Sequence, residues 1–140
     1  MFLSKLKGLI IVGLNRQSNL NRLYRVCYTF GVKNLYLINS KVDISNMGNV
    51  FSAKDNVNII HLKSIDDIQS EKMIALEVNA ETDLKKVEKD IEYIILGGEN
   101  VTLKSDICKK RYRIDGFNPL CLTVDEAACI ALHAVLCGKS

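Results

Sequence analysis

The chain has 140 residues, 48% of them hydrophobic, with a single proline; this is enough for one domain around one core and too little for two. Its 19 Lys and Arg against 16 Asp and Glu leave a formal charge of +3, which permits contact with nucleic acid without demonstrating it. The most apolar stretches, Leu9 to Leu14 and Ala127 to Cys137, fall short of the ~20 residues a bilayer core demands, which argues against a membrane span.

In chain order, Lys5 and Lys7 precede a short apolar run with no small-residue cleavage site after it, so Leu9 to Val12 reads as a first core strand. A helix is predicted over Asn19 to Phe30, with Ser18 as its cap and Gly31 placed to end it in a left-handed conformation. Leu20, Leu23, Val26, Cys27 and Phe30 share its apolar face, and Asn21, Arg22, Arg25 and Thr29 the opposite one. Further strands are predicted at Leu35 to Ile38, Asn58 to Leu62, Met73 to Val78, Tyr93 to Leu96 and near Arg111 to Ile114. Lys85, Lys86 and Lys89 alternate with Asp83, Glu88 and Asp90 as on a mixed-charge surface helix. Thr123-Val124-Asp125-Glu126 is a capping-box pattern that opens a last helix over Ala127 to Leu136. That helix is apolar nearly all round and calls for burial on several sides, including against a second subunit. Strands alternating with helical segments define an α/β class with a parallel sheet flanked by helices, in one domain over residues 1–140.

Five cysteines, an odd number with no C-x-x-C pair, suit free thiols in a reducing compartment, the cytoplasm. Cys129, His133 and Cys137 are spaced to share a helix face, but no fourth ligand is evident and they read as core residues; no metal site is expected.

Three segments, in order, resemble the motifs of the SpoU/TrmH type of SPOUT-superfamily RNA methyltransferases. Asn19-Leu20-Asn21-Arg22-Leu23-Tyr24-Arg25 with Phe30-Gly31-Val32 is similar to that family's N-x-G-x-x-x-R helix, with Asn21 in place of the glycine. Leu96-Gly97-Gly98-Glu99-Asn100-Val101-Thr102-Leu103 resembles its L-G-x-E-x-x-G-L loop, with Thr102 in place of the last glycine. Ile114, then Cys121-Leu122-Thr123-Val124-Asp125-Glu126-Ala127-Ala128, resembles its isoleucine and S-L-N-V-x-x-A-A helix start, with Cys121 and Thr123 replacing serine and asparagine. Each motif is weak alone; three in order are stronger.

The resemblance implies a C-terminal deep trefoil knot, which ordinary rules of chain connection would not suggest, a homodimer, and S-adenosylmethionine as cofactor for 2′-O-ribose methylation of tRNA or rRNA. Leu96, Gly97, Gly98, Ile114, Leu122 and Thr123 would hold the cofactor, largely through backbone groups. Arg25, Asn19 and Glu99 would serve the reaction, with Glu99 orienting Arg25 or a helix amide. Arg16, Arg22 and Arg25, joined by Lys33, would offer phosphate contacts to RNA. A guanidinium does not give up its proton near neutral pH, so Arg25 is expected to position the hydroxyl and stabilise developing charge.

Other readings compete. Asn21, Thr102, Cys121 and Thr123 suit an inactive SPOUT domain that binds RNA or a protein. The fold also serves base methylation. A doubly wound nucleotide-binding protein would need more than the single glycine of Val12-Gly13-Leu14.

Overall fold

The computed structural model of the protein describes residues 6–46, 57–99, 101–116, 118 and 121–137. Among them, seven strands form one sheet: β1 (Gly8–Val12), β2 (Asn34–Ile38), β3 (Asn58–Leu62), β4 (Met73–Leu76), β5 (Thr82–Asp83), β6 (Tyr93–Gly97) and β7 (Arg111–Arg113). Their order is β3-β2-β1-β6-β4-β7-β5, and every neighbouring pair is parallel. Parallel strands buried on both faces require runs of consecutive apolar residues, and β1, β4 and β6 provide them.

Alternation along the strands separates two cores. Leu9, Ile11, Leu35, Leu37, Ile74 and Ile94 pack with the helices α1 (Gln17–Phe30) and α2 (Val124–Leu136). Ile10, Ala75 and Ile95 lie on the other face, with Leu103, Cys108 and the 3₁₀ turn at Ile65–Asp67. Both helices therefore cover one face and pack against each other. The expectation of a parallel sheet flanked by helices holds. No helix among the described residues is long and apolar enough to cross a membrane.

The end of α1 follows the sequence closely. Gly31 adopts φ 70°, and Val32 N–H returns to Cys27 O at 2.9 Å, closing the helix in the manner that favours glycine. Its start differs from expectation. The helix begins at Gln17 after Arg16, no side chain of Arg16 caps it, and Ser18 lies inside the first turn; the cap comes from a distant loop, described below. Lys85 and Lys86 belong to a single 3₁₀ turn (Leu84–Lys86), not a longer helix, because the preceding pair Thr82–Asp83 joins the sheet beside β7 and the Asp83 carboxylate takes Lys85 N–H at 2.9 Å.

The cysteines divide into two kinds. Cys27 and Cys108 are buried, and burial pushes the Cys27 thiol up to about 12. Cys129 and Cys137, with His133 on the same face, are exposed and not core residues as expected. The reason is helical phase: Val124, Ala128, Ala131, Leu132 and Val135 make the buried stripe of α2, and residues 129, 133 and 137 fall outside it. Ile130 is also left exposed.

Strand order locates the crevice. From β1 the sheet grows through β2 to β3 on one side and through β6 to β4 on the other. Such a reversal leaves a gap at the carboxyl ends of the strands, where ligands bind in open parallel sheets. The implied knot concerns how the chain beyond β7 passes the loop after β6; residues 100, 117, 119 and 120 of that path lie outside the described residues.

Candidate functional site

Two loops meet above β1 and β6 at a backbone-to-backbone crossing. Gly98 N–H donates to Val12 O at 2.7 Å, so the loop after β6 lies on the loop after β1. A Cβ on Gly98 would stand 2.3 Å from Gly13 O, and one on Gly97 would stand 2.4 Å from Val101 O. Gly13 itself has φ +78°, a conformation that side chains rarely adopt. Glycine at 97 and 98 is thus a requirement of close approach.

Beside this crossing is a cleft of about 570 Å³. Leu96 to Glu99 form one side, Ile114 and the 122–124 segment face them, and Arg16 and Asn19 come from the start of α1. β4 ends at Leu76, two residues earlier than expected, which puts Glu77 and Val78 into the wall. β7 likewise ends at Arg113 and leaves Ile114 in a connecting segment that lines the cleft.

Glu99 ties the loop after β6 to α1. Its Oε2 accepts Asn15 N–H at 2.8 Å, and its Oε1 accepts Arg16 N–H at 3.2 Å and the Asn19 side-chain amide at 2.6 Å. Helix starts have unpaired N–H groups and a partial positive charge, and α1 has no acidic residue in its own first turn. Glu99 supplies that charge from 80 positions away in sequence. Arg22 then donates to Asn19 Oδ1 at 3.4 Å, so the network extends from Glu99 through Asn19 to a cation. Burial alone would push the Glu99 carboxyl up, but the bonds from Asn15, Asn19 and Arg16 outweigh it and hold the group below its ordinary value of 4.5.

A folded-state pKa below the unfolded one contributes stability that is fully present above about 4.5 and is lost as pH falls through the lower folded value. Glu99→Gln cannot make this contribution. Denaturant unfolding across pH 6 to 3 is expected to show wild-type stability dropping more steeply than that of Glu99→Gln, the gap between them closing toward the acid end. Parallel curves would assign Glu99 no such role.

All six positions implied for cofactor contact, Leu96, Gly97, Gly98, Ile114, Leu122 and Thr123, line the one cleft, as do Asn19, Glu99 and Arg16. Arg22 reaches the network through Asn19. Arg25 is exposed on α1 and does not line the cleft, and of the two roles expected of Glu99 the bonds to backbone amides at the start of α1 are present. Thr123 starts α2 as expected: its N–H and hydroxyl both donate to Glu126 Oε1 at 2.9 Å. Glu77 and Val78 escaped the sequence reading, because they look like the end of a strand and belong to no motif.

The departures from the family pattern differ in effect. Thr102 is exposed at the cleft and Cys121 is exposed, so both are sterically tolerated. Asn21 is half-buried, and its Oδ1 has no hydrogen-bond partner among the described residues, which costs about 1–3 kcal/mol for a polar atom left unpaired.

No protein-family model and no curated protein matches the sequence. Solved structures do. An rRNA methyltransferase from Sinorhizobium meliloti superposes with a TM-score of 0.79 over 95% of this chain and 56% of its own, at 14% identity. The SpoU methyltransferase AviRb from Streptomyces viridochromogenes, in complex with the cofactor AdoMet, gives 0.78 over 96% and 58%, at 12% identity. The fold is that of the SpoU/TrmH methyltransferases. The A. aeolicus TrmH/SpoU tRNA modifying enzyme has a TM-score of 0.75 at 17% identity, with 97% of this chain and 76% of that one covered. The chain spans little more than half the length of the S. meliloti and AviRb structures.

S-adenosylmethionine suits the cleft by its chemistry. The volume falls within the range of roughly 300–1,000 Å³ typical of small-molecule sites. Glycine backbone, apolar Leu96, Ile114 and Leu122, and the carboxylates of Glu77 and Glu99 together offer amide, apolar and acidic surfaces to an adenine, an aliphatic chain and the sulfonium and ammonium cations.

Proposed function

We propose that this protein is an S-adenosylmethionine-dependent RNA 2′-O-ribose methyltransferase. The observation that carries the reading is the convergence of three distant segments, at Asn19, at Leu96 to Glu99 and at Ile114 to Thr123, on one cleft at the sheet's point of reversal. When bound, the cofactor supplies an electrophilic methyl group on a sulfonium. Residues of the chain do the rest. The Gly97-Gly98 backbone and the 122–123 segment hold and orient the donor; Glu99 fixes α1 through Asn15, Arg16 and Asn19. The Arg25 guanidinium, always charged, positions the ribose hydroxyl and stabilises the negative charge that develops on its oxygen while the hydroxyl proton passes to solvent water. Arg16 and Arg22, on the same end of α1, contact backbone phosphates of the RNA.

The same reading takes a homodimer as the working form and a deep trefoil knot as the path of the C-terminal segment. Exposed Tyr28 on α1 and Ile130 on α2 suit a subunit contact. An arginine that serves the reaction without lining its own cleft suits a site shared between two copies. The cytoplasm is the compartment that suits five free cysteines.

One observation favours a second reading, an inactive binding module. The Thr123 hydroxyl donates its hydrogen to Glu126 and so offers a substrate no donor where the family's asparagine would offer an amide. The two readings part in one assay: incubation of total tRNA and rRNA with methyl-labelled S-adenosylmethionine, then alkaline hydrolysis. Label in alkali-resistant dinucleotides is expected, because a methylated 2′-hydroxyl cannot attack its neighbouring phosphate. Label in mononucleotides would indicate base methylation, and no transfer by a cofactor-binding protein would favour the module.

A further inference from the structure

Glu77 is a charged side chain in the cleft to which the sequence reading gives no role. Its backbone N–H donates to Tyr112 O at 2.9 Å, so the strand pairing of β4 with β7 fixes where the side chain starts. The side chain is largely covered, at 13% exposure. Oε1 accepts Leu103 N–H at 2.9 Å and lies 3.4 Å from Arg111 Nη1. Arg111 is held in turn by Cys108 O, which accepts its Nε–H at 2.9 Å, and by Lys104 O. The carboxylate is therefore locked in one orientation from two sides.

Its other oxygen, Oε2, makes no hydrogen bond among the described residues, and the residue lines the same cleft as Leu96, Gly97 and Ile114. Oε2 is therefore an acceptor that solvent reaches and no donor of the described chain occupies. A ligand that brings an O–H or N–H to Oε2 takes the place of water there, and the lock on Oε1 means no side-chain freedom is lost when it does.

We propose that Glu77 is a cofactor-binding residue whose Oε2 accepts a hydrogen bond from S-adenosylmethionine, from either a ribose hydroxyl or the α-ammonium, with Arg111 and Leu103 N–H as its positioning partners. The inference rests on the methyltransferase reading. Glu77 also latches the 98–103 segment through Leu103, and that purely structural task is what the test must separate.

Glu77→Gln makes the separation. Its amide oxygen can still take Leu103 N–H, while its NH₂ group puts a donor where the ligand needs an acceptor. Calorimetric titration with S-adenosylhomocysteine is expected to show binding by the wild type and a loss of about tenfold to a hundredfold in Glu77→Gln, with the variant still folded and its melting temperature lowered only by loss of the charge pair with Arg111. Glu77→Asp, which keeps the charge but draws it back by one methylene, loses part of the affinity and is the variant to read if the amide does not fold. Methylthioadenosine, which keeps the ribose and lacks the ammonium, identifies the donor: an equal loss with this ligand assigns the ribose, no loss assigns the ammonium. Wild type and both variants binding S-adenosylhomocysteine equally overturns the proposal. A wild type that binds neither ligand overturns the methyltransferase reading beneath it.

Discussion

Gly98→Ala is expected to abolish cofactor binding and to lower stability by about 3 kcal/mol, the upper part of the range for overpacking a close contact. The added methyl would meet Gly13 O at 2.3 Å, Gly13 C at 2.6 Å and Leu14 N at 2.9 Å. All three are backbone atoms and cannot rotate away. Relief requires the two loops to part, which breaks the 2.7 Å bond from Gly98 N–H to Val12 O and moves the wall of the cleft. Gly116→Ala is the control, since a Cβ there meets nothing within 4 Å among the described residues, and it is expected to be near neutral. Denaturant unfolding and S-adenosylmethionine titration of both variants check the contrast. Equal stability and equal binding would contradict the crossing of loops as the basis of the site.

Arg25→Ala is expected to reduce methyl transfer by about 100-fold or more, the scale seen when one stabilising donor is removed from an oxyanion, with cofactor affinity unchanged. The second half follows from its placement, since Arg25 stands exposed on α1 and outside the cleft and its loss leaves the cofactor contacts intact; the first half rests on the proposed site shared between two copies. Arg25→Lys retains the charge without the planar fork and is expected to recover only part of the rate. If the site is shared between copies, mixing Arg25→Ala with Gly98→Ala restores activity that neither has alone. Loss of cofactor affinity in Arg25→Ala would instead make it a binding residue, and full activity would remove it from the reaction.

Several elements were plain in the sequence for physical reasons. β1, β2, β3 and β6 are short apolar runs between breakers, and the end of α1 is marked by a glycine that needs a left-handed backbone. The start of α1 was misplaced because Ser18 obeys a local capping rule, whereas Glu99 provides the cap through a contact that sequence distance hides. β5 has two residues, too few to show a period. The mixed charges at residues 83–90 look helical, yet pairing of Thr82–Asp83 with β7 turns the chain first. The cleft was legible through resemblance because three segments keep the family's order and spacing, and the exposed positions of Thr102 and Cys121 tolerate a changed side chain. Glu77 was invisible: a carboxylate after an apolar strand reads as a solvated end until the fold shows what encloses it.

S-adenosylmethionine titration of the wild type beside Thr102→Trp and Val78→Trp tests the central claim most directly. Both residues are exposed and line the cleft, so an indole there fills it without disturbing the Gly97-Gly98 crossing. The account predicts wild-type binding in the micromolar range and its loss in both variants at unchanged melting temperature. A wild type that releases no heat of binding, or tryptophan variants that bind as well as it does, would contradict the account.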